Sequence, residues 1–344
     1  MTVKPPEPPR KRGRAPRAGG AVRMHDVARL AGVSPITVSR ALNQPDKLTE
    51  ATRRRVAEAI ARVGYVPNLT AGSLASNRSR IVAAIVPTIA NSIFADTVQG
   101  LSDCLARDGY QLLLGQTGYS DTTEEQLIRA FLGRRPDALV LTGIVRSAAA
   151  RALLRNAGIP IVETWDLADD PIDLLVGFSN RAAGAAMADY LSRRGHHRIA
   201  FVGGTDQRSQ ARRAGFAQAL GPSRAVCITH EGQASVPTGR TALHSVMIQA
   251  PDARAIFFSS DVLAIGALLE CRRLDWKVPE RVAIAGLGDL PLAAEMIPAL
   301  TTIEIRGYAI GERVARMLLQ RLSGEVVEPR IVDLGFRIIA RDSA

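Results

Sequence analysis

The sequence predicts an all-α helix-turn-helix head-piece, followed by a large α/β domain made of two Rossmann-like subdomains with parallel sheets. Three observations lead to this fold class. The excess positive charge is confined to the N-terminal quarter of the chain. Three short helical patterns follow one another within residues 24–64. From Ile81 onward, apolar strand-like runs alternate with helical stretches, as in sheets that helices cover on both faces.

The charge distribution separates the chain into a basic part and a neutral part. Residues 1–80 carry 16 Lys and Arg against 5 Asp and Glu, whereas residues 81–344 carry 28 of each kind. Such an asymmetry predicts a polyanion partner, double-stranded DNA, for the N-terminal part and a neutral task for the rest. Residues 1–22 are rich in Pro, Gly and Arg and are expected to be a disordered tail. Two roles for this tail stay open: weak phosphate contacts, or solubility alone.

The composition also bounds the class of protein. No apolar run approaches the ~20 residues of a membrane helix, and no apolar segment follows the basic N-terminus as it would in a secretion signal. Cys104, Cys227 and Cys271 are isolated thiols without disulfide or metal-ligand spacing. We therefore expect a cytoplasmic protein without membrane contact, metal site or cofactor.

The helix-turn-helix prediction, for residues 23–66, rests on start and stop signals. The first helical pattern ends at Gly32, and its expected inward residues are Val27, Leu30 and Ala31. The second begins with Ser34 as N-cap and Pro35 at the first helical position. The third follows Thr49, ends at Gly64 and presents Val56, Ile60 and Val63 at helical spacing. Two helices joined through AGVS and braced by a third form this motif.

The second helix, in the stretch VSPITVSRALN, has the composition of a recognition helix. Val38, Ala41 and Leu42 share an inward face, which leaves Ile36, Thr37 and Arg40 outside. Arg40 suits the acceptor pair of guanine and Ile36 suits a thymine methyl group. The hydroxyls expected near phosphates at the helix start are those of Ser34, Thr37 and Ser39. The alternative is that Ile36 is an isolated exposed apolar residue and Arg40 a solvated charge.

The α/β part begins after a linker at residues 67–80, in which LTAGSLAS suits a short helix that is stable only when docked. Its strand-like runs include IVAAIVP, YQLLLG, DALVLT, IPIVE, RIAFVGG, AVCITH, AIFFSS and VAIAGLGD. Helical stretches are expected at 94–108, 123–133, 182–194, 208–220 and 262–274. The number of strands indicates two units, with a break at 167–180.

At this level of detail the chain resembles the LacI/GalR family of bacterial transcription regulators. The resemblance is carried by DVARLAGVSPITVSRALN, GYVPN, GHHRIAFVGG, SSDVLAIGALLECRRL and PALTTIEI. It implies a homodimer, or a tetramer made of two dimers, that binds an inverted-repeat operator. It implies a hinge that folds on DNA with Leu74 inserted into the minor groove and Ala75 beside it. The alternative for Leu74 is packing on the following domain. Positions that match phosphate contacts in the family are Asn43, Thr49, Thr52, Tyr65 and Asn68.

The same resemblance implies a periplasmic-binding-protein-like effector domain over residues 81–344. We expect an N-terminal subdomain of about 81–175 and 304–330, and a C-terminal subdomain of about 176–303 and 331–344. In parallel sheets, ligands bind beyond the carboxyl ends of the strands. This rule selects residues 87–94, 117–119, 142, 163–166, 206–212, 260–261 and 288–289, among them Glu163 and Trp165. Matches to family positions in the cleft between the subdomains add Asn91, Phe94, Arg212, Asp261 and Asp289. We expect Arg212 to bind a sugar or a carboxylate.

Several stretches, among them TIANSIFAD, IPIVETWD and VDLGF, resemble the gluconate-utilisation repressors within this family. This branch implies a sugar-acid effector such as gluconate, acting as inducer or co-repressor. Leu287–Gly288 replaces the acidic residue of many relatives, and Trp165 replaces a smaller one. A neutral or phosphorylated sugar therefore stays an alternative effector.

Two other classes of protein are disfavoured. A dinucleotide-dependent enzyme lacks support because FVGGTDQR has no third glycine, and no P-loop or catalytic triad is found. An exported sugar-binding protein would share the two-subdomain fold, but the basic head-piece and the missing signal sequence argue against it. We expect no catalytic residues.

Overall fold

The structure, a computed structural model, describes residues 22–66, 78–89 and 92–344, with all side chains in these ranges except those of Asn43 and Ser92. Contacts divide the chain into two compact units between residues 77 and 78. The tail expected at residues 1–22 and the hinge expected at 67–80 fall almost entirely outside the described residues, so both stay predictions. Within the described residues, no helix is long and apolar enough to cross a membrane.

The first unit contains the three helices of a helix-turn-helix domain, as the sequence predicts. They are α1 (Met24–Ala31), α2 (Pro35–Asn43) and α3 (Glu50–Val63), with a 3₁₀ turn at Pro45–Lys47 between the last two. Gly32 ends α1 with a φ of 65°, which glycine adopts without the strain that a side chain would add. Gly64 ends α3 in the same left-handed conformation.

The core of this small unit differs from the expected core at several positions, because Ala28, Ala59 and Tyr65 are buried although none of them was expected there. Val27, Val38, Val56 and Ala59 are buried as an inward face requires. Leu30, expected inside, is 42% exposed, and Ala28 is buried in its place at 4%. Because α1 packs against both α2 and α3, its inward face turns toward Ala28, whose short side chain permits close approach.

The second unit alternates strands and helices throughout. Its helices are α4 (Ala95–Arg107), α5 (Asp121–Gly133), α6 (Ala148–Arg155), α7 (Asn180–Arg193), α8 (Gln207–Leu220), α9 (Val236–Gln249), α10 (Asp261–Arg273), α11 (Pro291–Glu295) and α12 (Gly307–Leu322). A 3₁₀ turn at Ser92–Phe94 precedes α4. The strands are β1 (Ile81–Val86), β2 (Gln111–Gln116), β3 (Ala138–Thr142), β4 (Ile161–Thr164), β5 (Leu174–Gly177), β6 (Ile199–Gly203), β7 (Ala225–Thr229), β8 (Ala255–Phe258), β9 (Ala283–Gly288), β10 (Thr301–Glu304), β11 (Ile331–Asp333) and β12 (Arg337–Ile339).

These strands form two six-stranded sheets with matching topology. The first has the order β11-β5-β4-β3-β1-β2 and the second β12-β10-β9-β8-β6-β7. All neighbours pair in parallel except β10 and β12, which are antiparallel. In the first sheet β1 lies between β2 and β3, and in the second sheet β6 lies between β7 and β8. The direction in which successive strands are added therefore reverses between β1 and β3 and between β6 and β8. Ligands bind at such switch points in doubly wound sheets.

Each sheet is the centre of one lobe. The N-lobe contains the first sheet with α4, α5, α6 and α12, and the C-lobe contains the second sheet with α7 to α11. The chain crosses between the lobes after β5, after β10 and after β11. Residues 331–333 therefore belong to the N-lobe sheet, whereas the expected boundary placed them in the C-terminal subdomain. The reason is that β11 pairs with β5 before the chain crosses.

The expected helices agree with α4, α5, α7, α8 and α10 within two or three residues at each end. The sequence did not identify α6, α9, α11 or α12. The two mostly parallel sheets, each packed with helices, confirm the prediction of two α/β subdomains with parallel sheets.

Gly184 on α7 should be intolerant of any side chain, because a Cβ at this position would overlap the backbone carbonyl of Arg212 on α8. We expect Gly184→Ala to lower the free energy of unfolding by about 1–3 kcal/mol through overpacking. Gly133→Ala is the matched control, because its Cβ would meet no atom within 4 Å. This substitution should raise the free energy of unfolding by about 0.4–1 kcal/mol. Urea unfolding of both variants measures this, and equal effects would contradict the close approach of the helices.

Candidate functional site

The outer face of α2 presents the side chains that the sequence selects for base contacts. Ile36 is 65% exposed, while Val38 is fully buried on the opposite face. Arg40 is exposed one turn after Ile36, and Thr37, Pro35 and Ser39 are half-buried. An exposed isoleucine beside an exposed arginine on a short helix is a surface suited to a major groove.

The hydroxyl residues at the helix starts have a local structural task as well. Ser34 Oγ accepts a hydrogen bond from the Thr37 backbone N–H at 3.2 Å and lies 2.9 Å from Thr37 Oγ1. Thr49 caps α3 in the same way, through the N–H of Thr52 at 3.4 Å. These side chains therefore fix the N-termini of α2 and α3, where the helix dipole favours an anion.

The exposed charges of the head-piece are mostly positive. Residues 22–66 contain eight Lys and Arg against four Asp and Glu. All eight basic side chains are exposed: Arg23, Arg29, Arg40, Lys47, Arg53, Arg54, Arg55 and Arg62. A small domain with this charge balance attracts the phosphate backbone of a nucleic acid.

Tyr65 occupies a different place from the expected one. Its ring lies in the core of the three helices and is 8% exposed, so it supports the fold more than it offers a surface for phosphate. The proposed DNA contacts of Asn68, Leu74, Ala75 and the Asn43 side chain lie outside what the structure describes, and they stay predictions.

The cleft between the N-lobe and the C-lobe holds two adjoining chambers, each at the switch point of one sheet. The first chamber, about 280 Å³, lies beyond β6 and β8 and is lined by Phe94, Trp165, Arg212, His230 and Ser260 among others. The second chamber, about 270 Å³, lies beyond β1 and β3 and is lined by Pro87, Thr117, Glu124, Thr142 and Arg146 among others. Both chambers thus lie at the carboxyl ends of the strands, where the strand-end rule places a ligand.

Aromatic side chains form the N-lobe wall of the first chamber. Phe94 and Trp165 pack edge to face with ring centroids 4.8 Å apart, and both are almost fully buried. The Trp165 indole N–H donates to Thr97 Oγ1 at 3.1 Å. This hydrogen bond fixes the orientation of the indole ring, so the N-lobe wall is apolar and rigid.

Arg212 supplies a buried positive charge on the C-lobe side of the first chamber. Its guanidinium donates to the Asn180 side-chain oxygen, a neutral partner, and within the described residues its Nε has no hydrogen-bond partner. Burial lowers the pKa of Arg212 to about 10, an effect that Asp206 opposes, so the group stays cationic at neutral pH. A buried cation with free donor capacity is suited to an anionic or strongly polar ligand.

Glu163, expected at the ligand site, lies away from both chambers. Its carboxylate is fully buried and accepts the backbone N–H groups of Val145 at 2.9 Å and Ile172 at 2.8 Å. Arg151 lies 3.9 Å away. Burial raises the pKa of Glu163, against the effect of these hydrogen bonds. The side chain ties two loops to β4, because its acceptor sites are directed at backbone rather than at the cleft.

Asp261 and Asp289 also have structural partners and line neither chamber. The Asp261 carboxylate accepts from the Leu290 backbone N–H at 2.9 Å and from the Thr302 hydroxyl. Asp289 pairs with Arg341 at 2.7 Å. Both acids follow strands, as the rule requires, but they join loops at the strand ends. Asn91, the remaining expected contact, lies outside the described residues.

Several side chains that line the chambers were not among the expected site residues, and they include Tyr119, Arg208, His230 and Gln233. Tyr119 follows β2 and Arg208 opens α8, both inside segments that the strand-end rule selects. His230 comes directly after β7, and the same rule applied to that strand would have found it. Of the expected residues, the structure brings together Phe94, Trp165 and Arg212.

Most of the chain is similar in sequence to known proteins. Residues 23–68 match the family of bacterial regulatory proteins of the lacI family, and residues 188–344 match the periplasmic binding protein-like domain. The HTH-type transcriptional regulator GntR of Pseudomonas aeruginosa is 39% identical over 334 residues, which cover 95% of this chain and 97% of that protein.

The chain belongs to the LacI family.

Solved structures agree with this assignment. A LacI family regulator from Silicibacter pomeroyi superposes with a TM-score of 0.87 at 32% identity, over 94% of this chain and 99% of that chain. The regulator GntR from Chromobacterium violaceum has a TM-score of 0.72 at 37% identity, over 76% and 98% respectively. Within the LacI family, the chain lies in the gluconate-repressor branch that its sequence resembles. It is a DNA-binding transcriptional regulator and not an enzyme.

The buried carboxyl group of Asp261 should make this LacI family member sensitive to pH. Burial raises the pKa of Asp261 to about 6, against the hydrogen bond from Thr302. Asp289 raises this pKa further, and Arg341 lowers it. The folded protein thus holds the proton more tightly than the unfolded chain. The resulting stabilisation is complete below pH ~4 and is lost as the pH rises through about 6.

Asp261→Asn cannot ionise, so we expect its stability relative to wild type to improve between pH 4 and pH 7, by about 2–3 kcal/mol. Urea unfolding at several pH values measures this difference. Asp252→Asn, an exposed residue paired with Arg198, is the matched control. If the stability of wild type and Asp261→Asn changed in parallel with pH, the ionisation of Asp261 would have no such effect.

Proposed function

We propose that this regulator represses genes of sugar-acid catabolism. In this proposal a homodimer binds an inverted-repeat operator through its two head-pieces, and an acid such as gluconate binds in the first chamber and changes operator affinity. The observation that carries the effector part is the buried Arg212 guanidinium, with its free donor capacity at the cleft. The branch of the family supports the same class of ligand.

The charges and hydroxyls of the first chamber suit a polyhydroxylated monoanion. Arg208 and Arg212 face a single carboxylate, that of Asp206, so the chamber has an excess of one positive charge. The Ser260 hydroxyl is buried and, in the described part of the chain, has no hydrogen-bond partner. Ser259, His230 and Gln233 add further polar groups. An acid with several hydroxyls satisfies the cation and these polar groups together, whereas a neutral sugar leaves the excess positive charge of the chamber uncompensated.

The operator part of the proposal assigns specificity to α2. Arg40 reads a guanine and Ile36 contacts a thymine methyl group, while Ser34, Pro35, Thr37 and Ser39 approach the backbone at the helix start. Asn43, Thr49, Thr52 and Asn68 are further phosphate contacts, and Leu74 with Ala75 form the minor-groove insertion. The exposed positive charges of the head-piece support this orientation.

Any coupling between the operator and the effector must be reciprocal, because both bind to the same chain. An effector that changes operator affinity by a given factor must itself bind the operator complex with an affinity changed by the same factor. The segment at residues 67–80 joins the head-piece to the lobes and is the proposed hinge for this coupling.

The alternative is a regulator that responds to a neutral or phosphorylated sugar. Gluconate, 6-phosphogluconate and glucose separate these cases, because they share a six-carbon chain and differ in charge.

Arg40→Ala should weaken binding to a specific operator by about 1–3 kcal/mol and relax the preference at one base pair of each half-site. The operator is selected from a random-sequence library with the wild-type full-length protein, and affinities are measured by fluorescence anisotropy at fixed salt. Binding to unrelated DNA should weaken much less, because only one of several charges is lost.

Arg62→Ala is the matched control, because Arg62 is exposed in the last turn of α3 and its substitution removes the same charge. Equal losses for Arg40→Ala and Arg62→Ala on the selected operator would contradict a base-reading role for Arg40.

Arg212→Ala should weaken gluconate binding by about 3 kcal/mol, or roughly 100-fold, because it removes charge-assisted hydrogen bonds in a desolvated site. Titration calorimetry on the full-length protein measures this affinity. Arg213→Ala, which removes an arginine that lines neither chamber, is the control on the same helix.

Binding of glucose with no binding of any acid would overturn the sugar-acid proposal while leaving the regulator intact. Tighter binding of 6-phosphogluconate than of gluconate would identify the phosphorylated alternative.

A further inference from the structure

Two side chains, one from each lobe, lie where the two chambers of the cleft meet. Tyr119 follows β2 in the N-lobe, and Arg208 lies in the first turn of α8 in the C-lobe. Both line the first chamber and the second chamber. Thr205 and Asp206 are also shared and belong to the loop before α8. The two chambers therefore adjoin at these side chains.

Arg208 is held in place by three contacts. One guanidinium nitrogen donates to the Thr142 carbonyl oxygen at 2.9 Å, which links the C-lobe to the end of β3 in the N-lobe. The guanidinium carbon lies 5.2 Å from the centre of the Phe94 ring. Asp206 Oδ1 lies 3.9 Å from Nε. With 7% of its surface exposed, the side chain is a fixed wall and not a mobile surface group.

Tyr119 reaches the same place at a cost in backbone energy. Its φ is 65°, in the left-handed region that a tyrosine rarely adopts and that costs of order 1–2 kcal/mol. Its backbone N–H donates to Thr117 Oγ1 at 3.2 Å, which stabilises the turn. Strain of this kind persists where the position of the side chain matters.

The two chambers differ in charge. The first has a net positive charge because of Arg212. The second has no positive excess, because Asp121, Glu124 and the shared Asp206 line it together with Arg146 and the shared Arg208. Burial, reinforced by Asp121, raises the pKa of Glu124 to about 7. The second chamber also contains the hydroxyls of Ser120, Ser147, Thr117 and Thr142. This chemistry suits an uncharged sugar ring.

We infer that Arg208 and Tyr119 are specificity-determining residues that confine the effector to the first chamber and so limit it to the length of one sugar acid. Removal of either side chain joins the chambers into a cleft of about twice the volume, into which a disaccharide acid fits. Its carboxylate then lies at Arg212 and its second sugar ring in the second chamber. This inference rests on the proposed function for the acid end of the ligand.

The test compares gluconate with lactobionate, a gluconate that carries one additional hexose. Titration calorimetry on the full-length protein gives both affinities for wild type, Arg208→Ala and Tyr119→Gly. We expect wild type to bind gluconate and to reject lactobionate. In both variants the ratio of lactobionate to gluconate affinity should rise by about tenfold or more. Tyr119→Gly keeps every charge, and glycine relieves the strain at φ 65°. Arg213→Ala is the control that should leave the ratio unchanged.

A crystal structure of Arg208→Ala adds a readout that needs no ligand: one continuous cavity is expected, and two separate ones would overturn the inference. It would also be overturned if wild type bound lactobionate as tightly as gluconate, or if neither variant changed the ratio. If no variant bound any acid, the proposed function would fail, and the partition would be judged from the cavity in the crystal structure alone.

Discussion

The buried charge of Arg212 is the constraint on which the cleft depends. Its guanidinium donates to Asn180, whose side-chain amide donates in turn to the backbone carbonyl of Trp165 at 2.8 Å. The indole N–H of Trp165 donates to Thr97 Oγ1, and that hydroxyl donates to the Gly307 carbonyl at 3.0 Å. One chain of hydrogen bonds thus runs from the C-lobe to the start of α12 in the N-lobe. Chains of this kind in a low-dielectric interior are stronger than isolated pairs.

Buried charges in the second unit divide into two kinds by whether their hydrogen-bonding capacity is used. Glu163 and Asp261 are buried acids, and each accepts two hydrogen bonds from its own fold. They stabilise loops and have little left to offer a ligand. Arg212 is equally buried, but only one of its bonds is made within the described residues. Because an unpaired buried charge is costly, this difference favours Arg212 over the two acids as the proposed ligand-binding residue.

The sequence was sufficient for the fold and for part of the site. Apolar runs, caps and glycines located the head-piece helices and most of the central strands, because these signals are local. The strand-end rule located the cleft, and Arg212, Trp165 and Phe94 line it. The rule could not tell which way an acid at a strand end points. Glu163 and Asp261 turn toward backbone N–H groups of distant loops, and such long-range partners leave no local pattern. Leu30 was misplaced for a similar reason, since the inward face of α1 depends on two neighbouring helices.

Hydrogen bonds between the N-lobe and the C-lobe bear on how a ligand in the cleft could shift a conformational equilibrium. Arg208 donates to the Thr142 carbonyl and Asn180 donates to the Trp165 carbonyl, so two hydrogen bonds bridge the cleft. A ligand shifts a conformational equilibrium only by the difference between its affinities for the two states. For the effector proposed in the first chamber, strengthening or replacing these bridges is one way to bind the two states with different affinities. Coupling energies between sites are typically ~1–3 kcal/mol, comparable to one or two charge-assisted hydrogen bonds. The Arg208 bridge is charge-assisted and the Asn180 bridge is neutral, so the energy of the first alone is of the same order as such a coupling.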